Sequence, residues 1–167
     1  SGFISQEFYG GQVTDGEGAS VIREDVDFPW PDKAAPFFFW HVRDAKLPEQ
    51  YGGRQGTSAY NKLESDAVVK CVTTLLSCGA SAQEIGVIAM YDAQRALIRG
   101  QLGGTGVQVD SVDAFQGEER SFIVVSLTRS NDTGRLGHVK EPTRINVSLT
   151  RAKYGLIVVG DMITCSH

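Results

Sequence analysis

The chain has 167 residues, 41% hydrophobic, 22% charged and 9% aromatic, with a formal net charge of −4. That mixture excludes a disordered tail, a collagen-like rod and a coiled coil, and the longest apolar runs are strand-sized, too short to span a membrane. The length fits one compact domain, and the first eleven residues lack a secretory-signal pattern, so a cytosolic or nuclear setting is expected.

Residues 1–35 mix Gly10, Gly11, Gly16, Gly18, Pro29 and Pro31 with acidic side chains and hold no period for long, which reads as an irregular lead-in to the domain. Residues 36–42, PFFFWHV, form a continuous apolar run expected to be a strand covered on both faces and central in a sheet. Residues 44–58 read as a polar loop, after which Ser58 or Asn61 caps a helix reaching about Ser77. Within it Ala67, Val68, Cys71, Val72, Leu75 and Leu76 follow the spacing of one buried face.

Residues 85–90, IGVIAM, are a second strand, and Asp92 caps a second helix that breaks at Gly103-Gly104. Strands follow at 107–110, 121–127 and 155–160, the last preceded by a helix that Pro142 opens. Strands alternating with helices, with runs apolar throughout, predict an α/β fold: a mainly parallel sheet, helices on both faces, over residues 36–167.

The three cysteines, Cys71, Cys78 and Cys165, form no C-x-x-C pair, and the histidines are scattered, so no protein-built metal site is expected. Cys71 and Cys78, two helical turns apart, read as buried core thiols. Charge is segregated. Residues 1–60 carry 5 Lys/Arg against 9 Asp/Glu, residues 61–119 carry 4 against 8, and residues 120–167 carry 7 against 3. The C-terminal third is therefore basic, by itself equally compatible with ordinary solvated surface and with an anionic partner.

The chain has no G-x-x-x-x-G-K-[ST] loop, no G-x-S-x-G and no H-E-x-x-H, which argues against a self-sufficient hydrolase. Three stretches carry polar chemistry at strand ends, where open α/β sheets bind ligands. In VDAFQGEE (112–119), Gly117 permits close backbone approach, Gln116 both donates and accepts, and Glu118 or Glu119 can accept from a ribose hydroxyl or hold a cationic partner. In EPTRINVSLTRAK (141–153), a continuous helix has three stripes. Ile145, Leu149 and Ala152 form the core stripe; Arg144, Ser148 and Arg151 form a second, and Asn146, Thr150 and Lys153 a third, both suited to phosphate as well as to plain exposure. In IGVIAMYDAQR (85–95), Tyr91 stands where strand gives way to helix, able to stack on a base or simply to pack.

In this order the three stretches resemble motifs IV (IGVIAMYDAQR), V (VDAFQGEE) and VI (INVSLTRAK) of the second RecA-like domain of superfamily 1B helicases, with SFIVVSLTRSN and YGLIVVGD following the latter two. EFYGG (7–11), DFPWPDKAAPFFF (27–39) and GTSAYNKLE (56–64) are similar to the branch of RNA helicases acting in nonsense-mediated mRNA decay. The resemblance implies an RecA-like fold and the C-terminal half of a cytoplasmic, ATP-driven motor moving 5′ to 3′ on single-stranded RNA. ATP with Mg²⁺ would be held mainly by a first RecA-like domain preceding residue 1, the domain itself would continue past His167, and decay-factor proteins would be partners, with no membrane involved.

Position by position, the resemblance implies that Arg151 is the arginine finger and that Gly117, Glu119 and Arg151 meet the nucleotide. Gln116 would couple that site to RNA, while Ala89, Met90, Tyr91, Ser111, Thr128, Arg129 and Asn131 face the RNA. Where the family has Thr-Pro before the motif IV tyrosine, this chain has Ala89-Met90 and so offers no hydroxyl there. Two other readings stay open: a non-catalytic RecA-like module that binds RNA or a protein, and a DNA-acting helicase of the same superfamily.

Overall fold

The computed structural model describes residues 25–166. The sequence-derived lead-in therefore lies mostly outside the described residues, as does the EFYGG stretch. The described residues hold seven strands, β1 (Phe37–His41), β2 (Gln50–Gly52), β3 (Ser58–Tyr60), β4 (Ile85–Ala89), β5 (Gln108–Asp110), β6 (Arg120–Ser126) and β7 (Ala152–Gly160), with α1 (Lys62–Ser77) after β3, α2 (Asp92–Gln101) after β4, α3 (Pro142–Leu149) after β6 and α4 (Met162–Cys165) after β7. Five strands form one wholly parallel sheet in the order β1-β7-β6-β4-β5, while β2 and β3 make a separate antiparallel hairpin.

Strand alternation sorts the core into two layers. Phe122 and Val124 of β6, with Ile157 and Val159 of β7, pack on Val68, Val72 and Leu75 of α1 and Ile98 of α2. Ile123, Val125, Leu156 and Val158 point the other way, onto Phe115 and Ile145 of α3. Both faces are covered, which is why the central runs Phe122–Val125 and Leu156–Val159 are apolar at every position.

The run at 36–42 is a strand but not a central one: β1 pairs with β7 alone, and Phe37 to Trp40 are only half-buried. A continuous apolar run reports two covered faces, and β1 has them: Phe38 and Trp40 pack on one core layer, Phe37 and Phe39 on the other. It says nothing about a neighbour on each edge. The expected loop at 44–58 contains β2 and leads into β3, three-residue strands too short to show a period.

Asn61 caps α1, its side chain accepting from the Glu64 amide at 3.1 Å. Cys71 is buried, and burial pushes its thiol up to about 12, whereas Cys78 is the half-buried C-cap residue. Asp92 does not cap α2; Tyr91 is the N-cap, and the Ala93 amide finds its acceptor in Ser58 Oγ of the hairpin at 3.0 Å. Pro142 opens α3 as expected, but the helix stops at Leu149 because residues 152–160 are taken up by β7. Ala152, Arg151 and Lys153 therefore leave the three helical stripes.

The β5–β6 connection is a crossing without a helix. Phe115, fully buried, pins it to the sheet in the space left by Gly86, where an added Cβ would sit 2.8 Å from Phe115 Cε1 and 2.9 Å from Ile123 Cδ1. Gly86→Ala is thus expected to destabilise the domain by about 1–3 kcal/mol through overpacking, read as an earlier urea-unfolding midpoint.

Candidate functional site

Because the five strands are parallel, every motif lies at one of two edges. Met90 and Tyr91 follow β4, Ser111 follows β5, and Thr128 to Asn131 follow β6, all at the carboxyl edge. Glu119 precedes β6 and Arg151 precedes β7, at the amino edge. The segment 111–119 runs from one edge to the other, with exposed Gln116 and Gly117 along its path.

At the amino edge, Arg120 is in register with Ala152, so Glu119 and Arg151 are neighbours; the Arg120 amide donates to the Arg151 carbonyl at 3.0 Å. Lys153 Nζ lies 3.5 Å from Glu119 Oε2, both half exposed. Arg151 Nε donates to the Val147 carbonyl and an Nη to Thr150 Oγ1, each at 3.2 Å, so the guanidinium rests on the C-terminal end of α3, where a cation is favoured. Two of its five N–H donors are used. Among the described residues no carboxylate lies within ion-pair distance of it. A partly buried guanidinium with spare donors, beside a hydroxyl, a lysine and a ribose-compatible carboxylate, fits a nucleotide polyphosphate. Gly117 adopts φ +80°, and an added Cβ would meet nothing, so backbone conformation alone demands glycine there.

The carboxyl edge holds a cleft of about 410 Å³ whose lining includes Ser58, Met90, Tyr91, Arg95, Ser111 and Arg144. Its cations are already engaged. Arg95 pairs with Asp92 and donates to the Ala89 carbonyl at 3.0 Å, while Arg144 lies 3.0 Å from Glu141 and 3.8 Å from Asp113. Ser58, Arg95 and Arg144 were not among the RNA-facing candidates, because only the tertiary fold brings the hairpin, α2 and α3 to one cleft.

Most of the RNA-facing candidates are buried or held by the fold, even where, like Tyr91, they reach the cleft wall. Ala89 is fully buried in the core, and Tyr91 is 7% exposed. The Tyr91 hydroxyl accepts from the His138 amide (3.1 Å) and Arg129 (3.3 Å) and donates to the Leu136 carbonyl (3.3 Å), while Arg129 lies over its ring. Tyr91 is a buried post rather than an open stacking platform. Arg129 forms an ion pair with Glu49 at 2.8 Å, both nearly buried, and Glu49 also accepts from the Ser130 amide and Asn131 Nδ2. Asn131 Oδ1 in turn accepts from the amides of Thr133 and Arg135.

Thr128 is fully buried in the left-handed region, φ +73°, with its amide donating to Glu64 Oε1 at 2.6 Å. Two glutamates, Glu49 and Glu64, thus hold the 128–131 loop from beneath, beside Asp161, which accepts from Ser130 Oγ at 2.8 Å. Sequence reasoning missed both, because a single Glu on a helix or loop looks like surface until its partners, 62 to 82 positions away, are known.

Five parallel strands between helical layers, with motif loops split between the two edges, define a RecA-like α/β domain. A family model described as an AAA domain matches residues 1–163, and the chain belongs to that family. The regulator of nonsense transcripts 1 homolog of Neurospora crassa is 41% identical over 178 residues, covering 100% of this chain and 16% of the relative. The ATP-dependent helicase upf1 of Schizosaccharomyces pombe is 39% identical, covering 96% and 18%, and the ATP-dependent helicase NAM7 of Saccharomyces cerevisiae 36%, covering 96% and 17%. The resemblance to the nonsense-decay helicases is borne out along the whole chain, which spans about a sixth of the length of these curated relatives.

Proposed function

We propose that this domain is the C-terminal motor lobe of a cytoplasmic ATP-dependent RNA helicase of nonsense-mediated decay, tracking 5′ to 3′ on single-stranded RNA. The observation that carries the reading is the division of labour across the sheet. A nucleotide-compatible group of Glu119, Arg151 and Lys153 occupies one edge, a polar cleft occupies the other, and the 111–119 crossing joins them. The names of the relatives support the activity.

In this reading Arg151 stabilises the charge that spreads over the phosphoryl oxygens during transfer, and Glu119 accepts from the sugar hydroxyls, with Gly117 setting the turn before it. Gln116, midway along the crossing, passes a change at the nucleotide edge to the RNA edge. Ser111 and the backbone after Met90 contact the RNA backbone in the cleft, whereas Tyr91, Thr128, Arg129 and Asn131 shape that surface from within. When bound, ATP with Mg²⁺ would supply the phosphoryl group to be transferred; Arg151 and Glu119 would hold it from this lobe, and loss of those contacts would let the lobe's grip on RNA change. The phosphate loop and the Mg²⁺ ligands belong to a first RecA-like domain; among the described residues no cluster of His, Cys, Asp and Glu is arranged to hold a metal. Decay-factor proteins are the expected partners of the whole molecule.

The half-motor reading is tested with the 167-residue chain alone. ATP turnover, with or without single-stranded RNA, is expected to be negligible, and a coupled phosphate-release assay showing sustained turnover overturns it.

A further inference from the structure

A second cavity adjoins the cleft, beyond the buried Arg129–Tyr91 post: Tyr91 lines the first and Arg129 the second. It measures about 590 Å³, within the ~300–1,000 Å³ range of small-ligand sites, and is lined by Tyr51, Arg129, Arg135, Leu136 and Lys140 with the backbone of Gly134 and Gly137. Tyr51 is 54% exposed, the only aromatic among the large apolar side chains left open in the described residues. It is nonetheless fixed: its hydroxyl donates to Glu49 Oε1 at 2.9 Å and accepts from Arg129 at 3.5 Å. An exposed ring anchored by its polar tip keeps its faces free at little further entropic cost.

The charges around it are one-sided. Among the described residues no carboxylate lines the cavity, and neither the Arg135 guanidinium nor the Lys140 ammonium has a hydrogen-bond or ion-pair partner. Arg129, by contrast, is neutralised by Glu49. The loop carrying Arg135 is held in shape by Asn131, so that cation is presented from an ordered turn. A fixed ring beside two unneutralised cations matches the base and neighbouring phosphates of a single strand.

We propose that Tyr51, Arg135 and Lys140 form a contact site for single-stranded polynucleotide, one base stacking on Tyr51 while the adjacent phosphates meet Arg135 and Lys140. The site extends the cleft past the Arg129–Tyr91 post, and it rests on the RNA-motor reading above.

The test uses the full-length protein and fluorescence anisotropy with labelled uridine and deoxyuridine oligomers, which differ only in the sugar, over a salt series. Tyr51→Ala is expected to weaken binding roughly 5- to 150-fold, whereas Tyr51→Phe, which keeps the stacking ring but loses its anchor to Glu49 and Arg129, recovers most of that loss without reaching the parent. Arg135→Gln with Lys140→Gln, both on exposed positions, is expected to flatten the slope of log affinity against log salt by about 1.4. Loss in one oligomer series only assigns the site to that sugar. If either the Tyr51→Ala affinity or the double-variant slope matches a parent that binds, the site as stated is wrong while the motor reading stands. A parent that binds neither oligomer overturns both.

Discussion

Arg151→Ala in the full-length protein is expected to slow RNA-stimulated ATP hydrolysis by roughly 10³- to 10⁵-fold while RNA binding persists. That size is the general worth of an arginine finger, and three observations support the role for Arg151. The guanidinium sits at the sheet edge opposite the cleft, it keeps spare donors, and among the described residues no carboxylate neutralises it. Its two hydrogen bonds go to the end of α3, so its loss leaves both core layers intact, and thermal unfolding should shift little. Arg151→Lys should not rescue, because a point charge cannot present the planar fork that spans two phosphoryl oxygens. Phosphate release and strand-binding assays on the three proteins check this, and near-normal hydrolysis by the alanine variant removes Arg151 from the role.

Glu64→Gln is expected to abolish a pH dependence of stability that the parent shows. Burial pushes the Glu64 carboxyl up to about 8, against the hydrogen bonds from Ser126 and the Thr128 amide, with the charge of Asp161 adding to the rise. Its free oxygen, Oε2, and the Thr128 hydroxyl are the two buried polar side-chain atoms without a partner among the described residues. A proton on Oε2 turns that oxygen into a donor and removes the cost of a buried charge. The folded chain then keeps this proton to about pH 8, while the unfolded chain loses it near the ordinary carboxylate value. Stability should therefore fall as pH rises between those limits, by about 1.4 kcal/mol per pH unit, and be unaffected by this group at lower pH. Glutamine carries an acceptor and a permanent donor in the same shape, so the variant should be flatter across that window and the more stable protein at pH 8. Urea unfolding of both chains from pH 5 to 8 measures it; parallel profiles contradict the assignment.

Much of the architecture was legible because it rests on local patterns. Asn61 capping α1, Pro142 opening α3 and the apolar runs of β4, β6 and β7 all follow from side-chain chemistry within a few residues. What escaped depends on partners far away in the chain. The place of β1 at the sheet edge is a matter of strand order, which its own residues do not encode. The end of α3 is decided by competition: residues that could continue the helix pair instead with β6.

The same contrast divides the candidate site. Glu119 and Arg151 were both singled out by their motifs, and the register of β6 with β7 makes them neighbours. Tyr91, Thr128 and Arg129 are polar residues in a motif that resembles an RNA surface, yet their polar groups are directed inward. Their partners, Glu49 and Glu64, come from the hairpin region and α1, segments that composition alone describes as ordinary surface.

The most direct measurement is a structure of the full-length protein bound to nucleotide with a planar mimic of the transferring phosphoryl group. The account predicts the Arg151 guanidinium lifted from the end of α3 and within hydrogen-bonding distance of the mimic, about 2.7–3.1 Å, with Glu119 at the sugar. Arg151 still resting on the Val147 carbonyl, with another cation at the mimic, contradicts it.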